Sequence, residues 1–95
     1  MADLEFEWDS RKDSANQRKH GVSFSEAATV FRDDRALVIP DPGHSDEEDR
    51  FLLLGLSAAI RALVVCHCLR DQGDTIRIIS ARRANKLERG QYFER

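Results

Sequence analysis

The spacing of hydrophobic and polar residues changes from segment to segment along this chain, and that spacing predicts where strands and helices lie. Residues 4–8 alternate apolar and acidic side chains, which is the period of a half-buried strand. Later apolar runs, bounded by proline, glycine or polar residues, also predict strands. The predicted strands are Leu4–Trp8, Ala36–Ile39, Phe51–Leu56, Ala62–Leu69 and Thr75–Ser80.

Three other segments carry the signals of helices. Asp9 can cap a helix that ends before Gly21, a residue suited to the left-handed position after a helix. Ser23 and Glu26 match a capping box, in which each side chain accepts a hydrogen bond from the other residue's backbone N–H. The predicted helices run from Ser10 to about Lys19, from Ser23 to Arg32 or Asp33, and from about Ala81 to Phe93, with Ser80 as the candidate cap of the last.

The order of these elements predicts the fold class. Consecutive strands joined by short turns imply an antiparallel meander. We therefore predict an α+β fold with a mostly antiparallel sheet of four to five strands, two N-terminal helices and one C-terminal helix, the helices covering one face of the sheet. A chain of 95 residues builds one hydrophobic core, so residues 1–95 should form a single domain.

Composition supports a folded protein without a membrane span. Hydrophobic residues make up 41% of the chain and charged residues 34%, which is ordinary for a globular domain. No apolar run approaches the ~20 residues of a membrane helix, and the N-terminus lacks the pattern of a secretory signal. Cys66 and Cys68 would stand side by side on one strand, a poor geometry for a disulfide. We expect buried free thiols and a cytoplasmic location.

The small net charge of −2 hides two segments of opposite sign. Residues 33–49 hold seven acidic side chains and one basic side chain, whereas residues 75–95 hold six basic and two acidic ones. A second basic cluster lies within residues 11–19. If folding brings the two basic segments together, the protein has one side that binds polyanions. The alternative is a pair of solvated charged faces.

Lys19 and His20 fall at the end of the first predicted helix. A helix C-terminus stabilises a protonated histidine, so His20 could donate or accept a proton near neutral pH. The alternative is a histidine that caps the helix by bonding to its carbonyl groups.

The last strand and the last helix supply further candidates. On that helix Glu88 and Tyr92 share one face, where they could reach a substrate or form a helix-to-sheet hydrogen bond. The side chain of Arg77 projects from the last strand, and Arg82 and Arg83 are predicted to begin the helix. Three guanidinium groups near free helix N–H groups would form a phosphate cradle.

Together these side chains supply the parts of a metal-free RNA cleavage. They offer a base for the 2′-hydroxyl, cations for the pentavalent phosphorane and an acid for the leaving 5′-oxygen. His67 would lie on the strand face opposite Cys66 and Cys68, and the chain has no Cys-x-x-Cys motif and no histidine pair. No metal site and no cofactor are expected.

Several motifs, in order along nearly the whole chain, resemble the BrnT toxins. They include FEWD at residues 6–9, KHGVSF at residues 19–24 and RIISAR at residues 77–82, together with Glu88 and Tyr92. The motifs also include the stretch at His44 and Ser45, which is expected to be exposed. The resemblance implies a fold similar to the RelE-like ribonucleases and an RNA-cleaving toxin activity that blocks translation. It also implies a cognate BrnA-like antitoxin, which would bring DNA binding to the complex indirectly.

Site residues are carried over only at matching positions, because a fold does not assign catalytic roles. Glu88 or His20 is the expected general base, Arg82 and Arg77 are expected on the phosphate, and Lys19 or Tyr92 is expected near the leaving group. Arg83 is a further RNA-binding candidate. Arg50 and His67 are secondary candidates, for which core or sheet-edge packing is the alternative.

Two other functions fit the same residues. The first is a non-catalytic nucleic-acid-binding or regulatory module that acts with a DNA-binding partner. The second is an interaction protein whose acidic segment, Asp41–Asp49, docks a basic partner.

Overall fold

A computed structural model of the chain describes residues 4–41 and 50–94, which form a five-stranded sheet and three α-helices. The strands are β1 Glu5–Glu7, β2 Leu37–Ile39, β3 Phe51–Leu56, β4 Ala62–Arg70 and β5 Thr75–Arg83, and the helices are α1 Ser10–His20, α2 Phe24–Thr29 and α3 Lys86–Phe93. Single 3-10 turns follow α2 at Val30–Arg32 and β4 at Asp71–Gly73. His44 and most of the predicted acidic loop lie outside the described residues.

The sheet order is β1-β5-β4-β3-β2. The four strands β2 to β5 form the predicted antiparallel meander, and β1 joins the far edge parallel to β5. The predicted α+β class is confirmed, and the sheet is mixed.

Helices lie on both faces of the sheet, so the prediction that they cover one face was wrong. Leu63 and Val65 of β4 pack in a core cluster with residues of α2, among them Phe24. Val64, which lies between them, packs in a second cluster with Tyr92 of α3. Successive side chains of a strand point to opposite faces, so α2 and α3 cover opposite sides.

Strand β5 continues three residues beyond its predicted end, and this moves the start of the last helix. Arg82 and Arg83 pair with Val64 and Leu63 of β4. The N–H of Ala84 then donates to the carbonyl of Ala62 at 2.9 Å, which extends the pairing by another residue. The predicted helix start at Ala81 was therefore wrong.

Helix α3 is capped by Asn85. The Asn85 side chain accepts from the N–H of Glu88, and the Glu88 side chain accepts from the N–H of Asn85, which is a full capping box. The candidate cap at Ser80 is replaced because that residue lies within β5. Leu87, on the first turn of the helix, is 75% exposed.

The first two helices begin where the sequence predicts. Asp9 caps α1 by accepting from the N–H of Arg11 at 2.7 Å, and Gly21 ends it with a φ of 70°. Ser23 caps α2 by accepting from the N–H of Glu26 at 3.0 Å. The returning half of the predicted box is absent among the described contacts, because the Glu26 carboxylate pairs with Arg61 instead.

The Cys66 and Cys68 side chains are both buried and neither forms a disulfide within the described residues, as expected. Within the described ranges, no helix has both the length and the apolar character needed to cross a membrane.

Candidate functional site

At one end of the sheet, where β4 begins and β5 ends, basic side chains come together from three parts of the chain. We call it the basic end, and it comprises Lys19, His20, Arg61, Arg82 and Arg83. Arg83 is directly opposite Leu63 and Arg82 opposite Val64 in the β4–β5 pairing. The strand register therefore fixes two of these cations, and α1 must bring Lys19 and His20 to them.

Asn16 and Arg61 hold the C-terminal end of α1 against this end of the sheet. The Asn16 side chain is buried, and its Nδ2 donates to the carbonyls of Val22 and Ala81 at 2.8 Å each. Its Oδ1 accepts from the N–H of Ala81 at 3.1 Å. Arg61 Nη2 adds a bond to the Gly21 carbonyl at 3.1 Å. These bonds place the end of α1 beside β5.

The Lys19 side chain is exposed and that of His20 is half-buried. Within residues 4–41 and 50–94 neither side chain makes a hydrogen bond or an ion pair. The helix is instead closed by the N–H of Gly21, which donates to the Gln17 carbonyl at 2.9 Å. The alternative role of His20 as a carbonyl-bonded cap is therefore not seen among the described residues.

Arg82 and Glu88 form a two-bond ion pair between β5 and α3. Arg82 Nη1 donates to Glu88 Oε1 at 2.7 Å, and Arg82 Nη2 donates to Oε2 at 2.8 Å. These bonds lower the pKa of the Glu88 carboxyl against the opposing effect of burial, with smaller contributions from the N–H of Asn85 and from the Arg82 charge. Glu88 is thus an ionised, weakly basic carboxylate while Arg82 holds it.

The predicted cradle of three arginines does not form. Arg82 and Arg83 are neighbours on a strand, so their side chains leave opposite faces of the sheet. Arg77 lies five positions earlier on β5, about 16 Å away at the rise of a strand, and its Nη1 donates to Glu7 at 2.8 Å. Arg50 precedes β3 at that same far end of the sheet. The sequence-predicted site therefore divides between the two ends.

Tyr92 joins α3 to the segment that follows α2. Its side chain is 3% exposed, and its hydroxyl donates to Asp33 Oδ2 at 2.5 Å. The same carboxylate oxygen accepts from the N–H of Leu56 at 2.8 Å. This geometry corresponds to the structural alternative for Tyr92, a hydrogen bond that anchors the helix.

Sequence reasoning missed the ion pair of Arg61 and Glu26 at the basic end. Arg61 Nε donates to Glu26 Oε2 at 2.9 Å, and Nη2 makes a second, short bond to Oε1. The Ser57 hydroxyl donates to Oε2 at 2.7 Å. The Arg61 bond is the largest influence lowering the pKa of Glu26, followed, against burial, by the Ser57 bond and the charges of Arg61 and Arg83. The sequence signal that could have pointed to Arg61 was its place as a single arginine between two apolar runs.

His67, a secondary candidate, is buried in the sheet. Its ring lies 4.8 Å from that of Phe31 and 5.9 Å from that of Phe51, measured between centroids. Burial lowers its pKa, against the effect of a bond to the Val65 carbonyl. The packing alternative for His67 is thus the one seen. No group of three or more His, Cys, Asp or Glu side chains converges within the described parts of the chain.

Comparison with known proteins gives a family and a fold. The family model described as ribonuclease toxin, BrnT, of type II toxin-antitoxin system matches residues 8–88. The crystal structure of the Brucella abortus ribonuclease toxin BrnT shares the fold, with a TM-score of 0.67 and 22% sequence identity over 88% of this chain and 100% of that one. No curated protein matches. Because the family model spans most of its length, this chain belongs to the BrnT family, the ribonuclease toxins of type II toxin–antitoxin systems.

Proposed function

We propose that this protein cleaves RNA at the basic end by a metal-independent attack of the 2′-hydroxyl on the adjacent phosphate. The observation that carries the proposal is that Lys19, His20, Arg82 and Arg83 all lie at one end of the sheet, where the His20 imidazole has no hydrogen bond or ion pair among residues 4–41 and 50–94. The alternating strand positions of Arg82 and Arg83 put positive charge on both sides of that end. A phosphodiester crossing it meets cations and a proton carrier.

The chemistry needs three functions at one phosphate. A base removes the 2′-hydroxyl proton as that oxygen bonds to phosphorus, cations stabilise the phosphorane, and the 5′-oxygen leaves with a proton from an acid. His20 is our candidate base, with Arg83 on the reacting phosphate, Arg82 on the RNA backbone where it reaches the other face of the sheet, and Lys19 beside the leaving oxygen. The products are a 2′,3′-cyclic phosphate and a free 5′-hydroxyl.

Arg82 and Glu88 must exchange partners for this arrangement to work. Their ion pair is partly solvent-exposed, with 40% of the Arg82 side chain accessible, so a phosphate can compete for the guanidinium. Release of Glu88 removes the strongest influence that lowers its pKa, and the freed carboxylate becomes a better base. Glu88 is therefore the second candidate base, available only after RNA has engaged Arg82.

The other predicted residues take supporting roles. Tyr92 anchors α3 through Asp33, which keeps Glu88 within reach of Arg82, so its direct part in leaving-group chemistry would require the helix to move. Arg77 and Arg50, at the far end of the sheet, are candidates for contacts with more distant phosphates. We further propose the RelE-like assignment of the fold.

Membership of the family implies an antitoxin partner and an RNA substrate. We propose that the partner is BrnA-like, that it brings the complex to DNA, and that uninhibited cleavage in the cytoplasm blocks translation. Each of these is an expectation from the family pattern at residues 6–9, 19–24 and 77–82.

The test is a cleavage assay on bulk RNA in excess EDTA with the purified, partner-free full chain. We expect cleavage by the wild type, a large loss in His20→Gln and Arg82→Gln, and little change in Arg11→Gln. Arg11 is an exposed arginine at the start of α1, about 14 Å from His20 at the rise of a helix. Circular dichroism of each variant separates lost chemistry from lost folding.

Growth arrest separates the enzyme from a non-catalytic binding module. Expression without an antitoxin should stop growth for the wild type and for Arg11→Gln, and should not do so for His20→Gln. The proposal would be contradicted if neither the wild type nor any folded variant cleaved RNA and if expression of His20→Gln still arrested growth. That result would favour the binding module.

A further inference from the structure

The ion pair with Glu26 does not use all the hydrogen-bond donors of the Arg61 guanidinium. Glu26 takes Nε and one N–H of Nη2, and the Gly21 carbonyl takes the other N–H of Nη2. Both N–H groups of Nη1 are left without an acceptor among the described residues. The side chain is 26% exposed, so two donors of a fixed guanidinium remain to meet a ligand.

The guanidinium is also held still. Glu26 is held in turn by the Ser57 hydroxyl at 2.7 Å, and Ser57 closes the turn before β4 through its N–H, which donates to the Arg61 carbonyl at 2.9 Å. A fixed planar guanidinium loses little conformational entropy when it binds a phosphate. The Arg61 side chain is therefore fixed in position before a ligand binds.

The surroundings of Arg61 have a surplus of positive charge. Glu26 is the acidic side chain that pairs with it, while Arg83 lies on the neighbouring strand and Lys19 at the adjacent helix end. Arg83 is near enough to influence the Glu26 carboxyl. A site with more cations than anions and with donors left over is one that an anion fills.

We propose that Arg61 binds a phosphate of the RNA at the basic end, held in place for it by Glu26 and Ser57. This inference rests on the proposed function and adds a residue that it did not contain. It also sets the path of the RNA: the strand crosses the side of the sheet that α2 covers, where Arg83 and His20 lie beside Arg61, before reaching Arg82 on the other side.

The test measures binding of the full chain to a single-stranded 2′-O-methyl RNA oligonucleotide, which lacks the attacking hydroxyl, by fluorescence anisotropy across a series of salt concentrations. For single strands the slope of log affinity against log salt becomes shallower by about 0.7 for each phosphate that the protein no longer neutralises. Arg61→Gln should reduce the slope by about 0.7 and the affinity by about tenfold. Arg11→Gln, with the same change of charge outside the site, should keep the wild-type slope.

Two further variants separate phosphate binding from a purely structural role. Glu26→Gln/Arg61→Gln removes the carboxylate that a single variant would leave unpaired, and it should show the same reduction of slope while folding. Arg61→Lys keeps the charge and loses the fork, so it should keep the slope and bind more weakly. A structural role alone would lower the melting temperature of the variants and leave the salt slope of the folded protein unchanged.

The outcomes distinguish this inference from the proposed cleavage. A wild-type slope in folded Arg61→Gln overturns the role of Arg61, and cleavage of ordinary RNA by the wild type would then still support the enzyme. A reduced slope in Arg61→Gln supports Arg61 as a phosphate ligand even if the wild type leaves ordinary RNA intact, a result that overturns the cleavage alone. Failure of the wild type to bind the oligonucleotide overturns the role of Arg61, while the cleavage assay on ordinary RNA still decides the proposed function.

Discussion

Replacing Asn16 with alanine should cost about 3 kcal/mol of stability, because one buried amide joins α1 to β5. The side chain is 6% exposed and makes three hydrogen bonds, two to Ala81 and one to Val22. Each bond contributes about 1 kcal/mol, and the buried backbone groups left behind add to the loss. The better helix propensity of alanine returns about 0.5 kcal/mol. For a domain of this size the melting temperature should fall by roughly 12–24 °C.

Urea denaturation followed by circular dichroism measures this loss, and Gln17→Ala is its matched control. Gln17 is the next residue on α1 and is exposed, and among the described residues its side chain makes one hydrogen bond, to Asp13 at 3.1 Å. Its replacement should therefore change stability by less than about 0.5 kcal/mol. At a temperature where Asn16→Ala is folded, RNA cleavage should also fall, because the end of α1 carries His20. Equal stability losses for the two variants would show that the buried amide does not hold α1 to the sheet.

Three other changes test separate features of the fold. Gly55→Ala should destabilise by about 1–3 kcal/mol, because a Cβ there meets three heavy atoms at 2.9–3.0 Å, whereas Gly90→Ala, facing only a flexible side-chain end at 3.1 Å, should be neutral or stabilising in the same urea titration. Ile60→Gly should stabilise by about 0.5–1 kcal/mol, since Ile60 has a φ of 60° and is 78% exposed, and a lower urea midpoint would contradict this. The pKa of Glu88 is lowered on folding, so its ion pair stabilises the protein above the ordinary carboxyl pKa of about 4.3 and loses that effect as pH falls through the lower folded value. The stability difference between the wild type and Glu88→Gln should therefore be constant above about pH 5.5 and shrink in more acidic solution, and a difference independent of pH would contradict it.

Short patterns in the sequence predicted correctly those elements that depend on neighbouring residues alone. The cap at Asp9, the ending at Gly21 and the strands β3 and β4 agree with the structure because each depends on neighbouring residues. The end of β5 depends on pairing with β4 some twenty positions away, so the helix-like composition after Ser80 was misleading. Asn85 followed by Glu88 was the local signal of the true helix start.

The candidate site was harder to predict because its partners are distant along the chain. Glu26 matched a local capping box, yet its carboxylate binds Arg61, 35 positions later. Tyr92 likewise bonds to Asp33, 59 positions earlier. Charge counts indicated a polyanion-binding side. They could not show that Arg77 lies at the opposite end of the sheet from Arg82 and Arg83, because that placement depends on the length of β5 and on strand alternation.

The chemistry of the RNA ends is the sharpest test of metal-independent cleavage at the basic end. Purified wild-type protein is incubated with a defined RNA in excess EDTA, and the termini of the products are identified by mass spectrometry. We expect cleavage with 5′-hydroxyl and 2′,3′-cyclic phosphate or 3′-phosphate ends, lost in His20→Gln and kept in Arg11→Gln. Products with 5′-phosphate and 3′-hydroxyl ends, or cleavage that EDTA abolishes, would contradict the proposed mechanism.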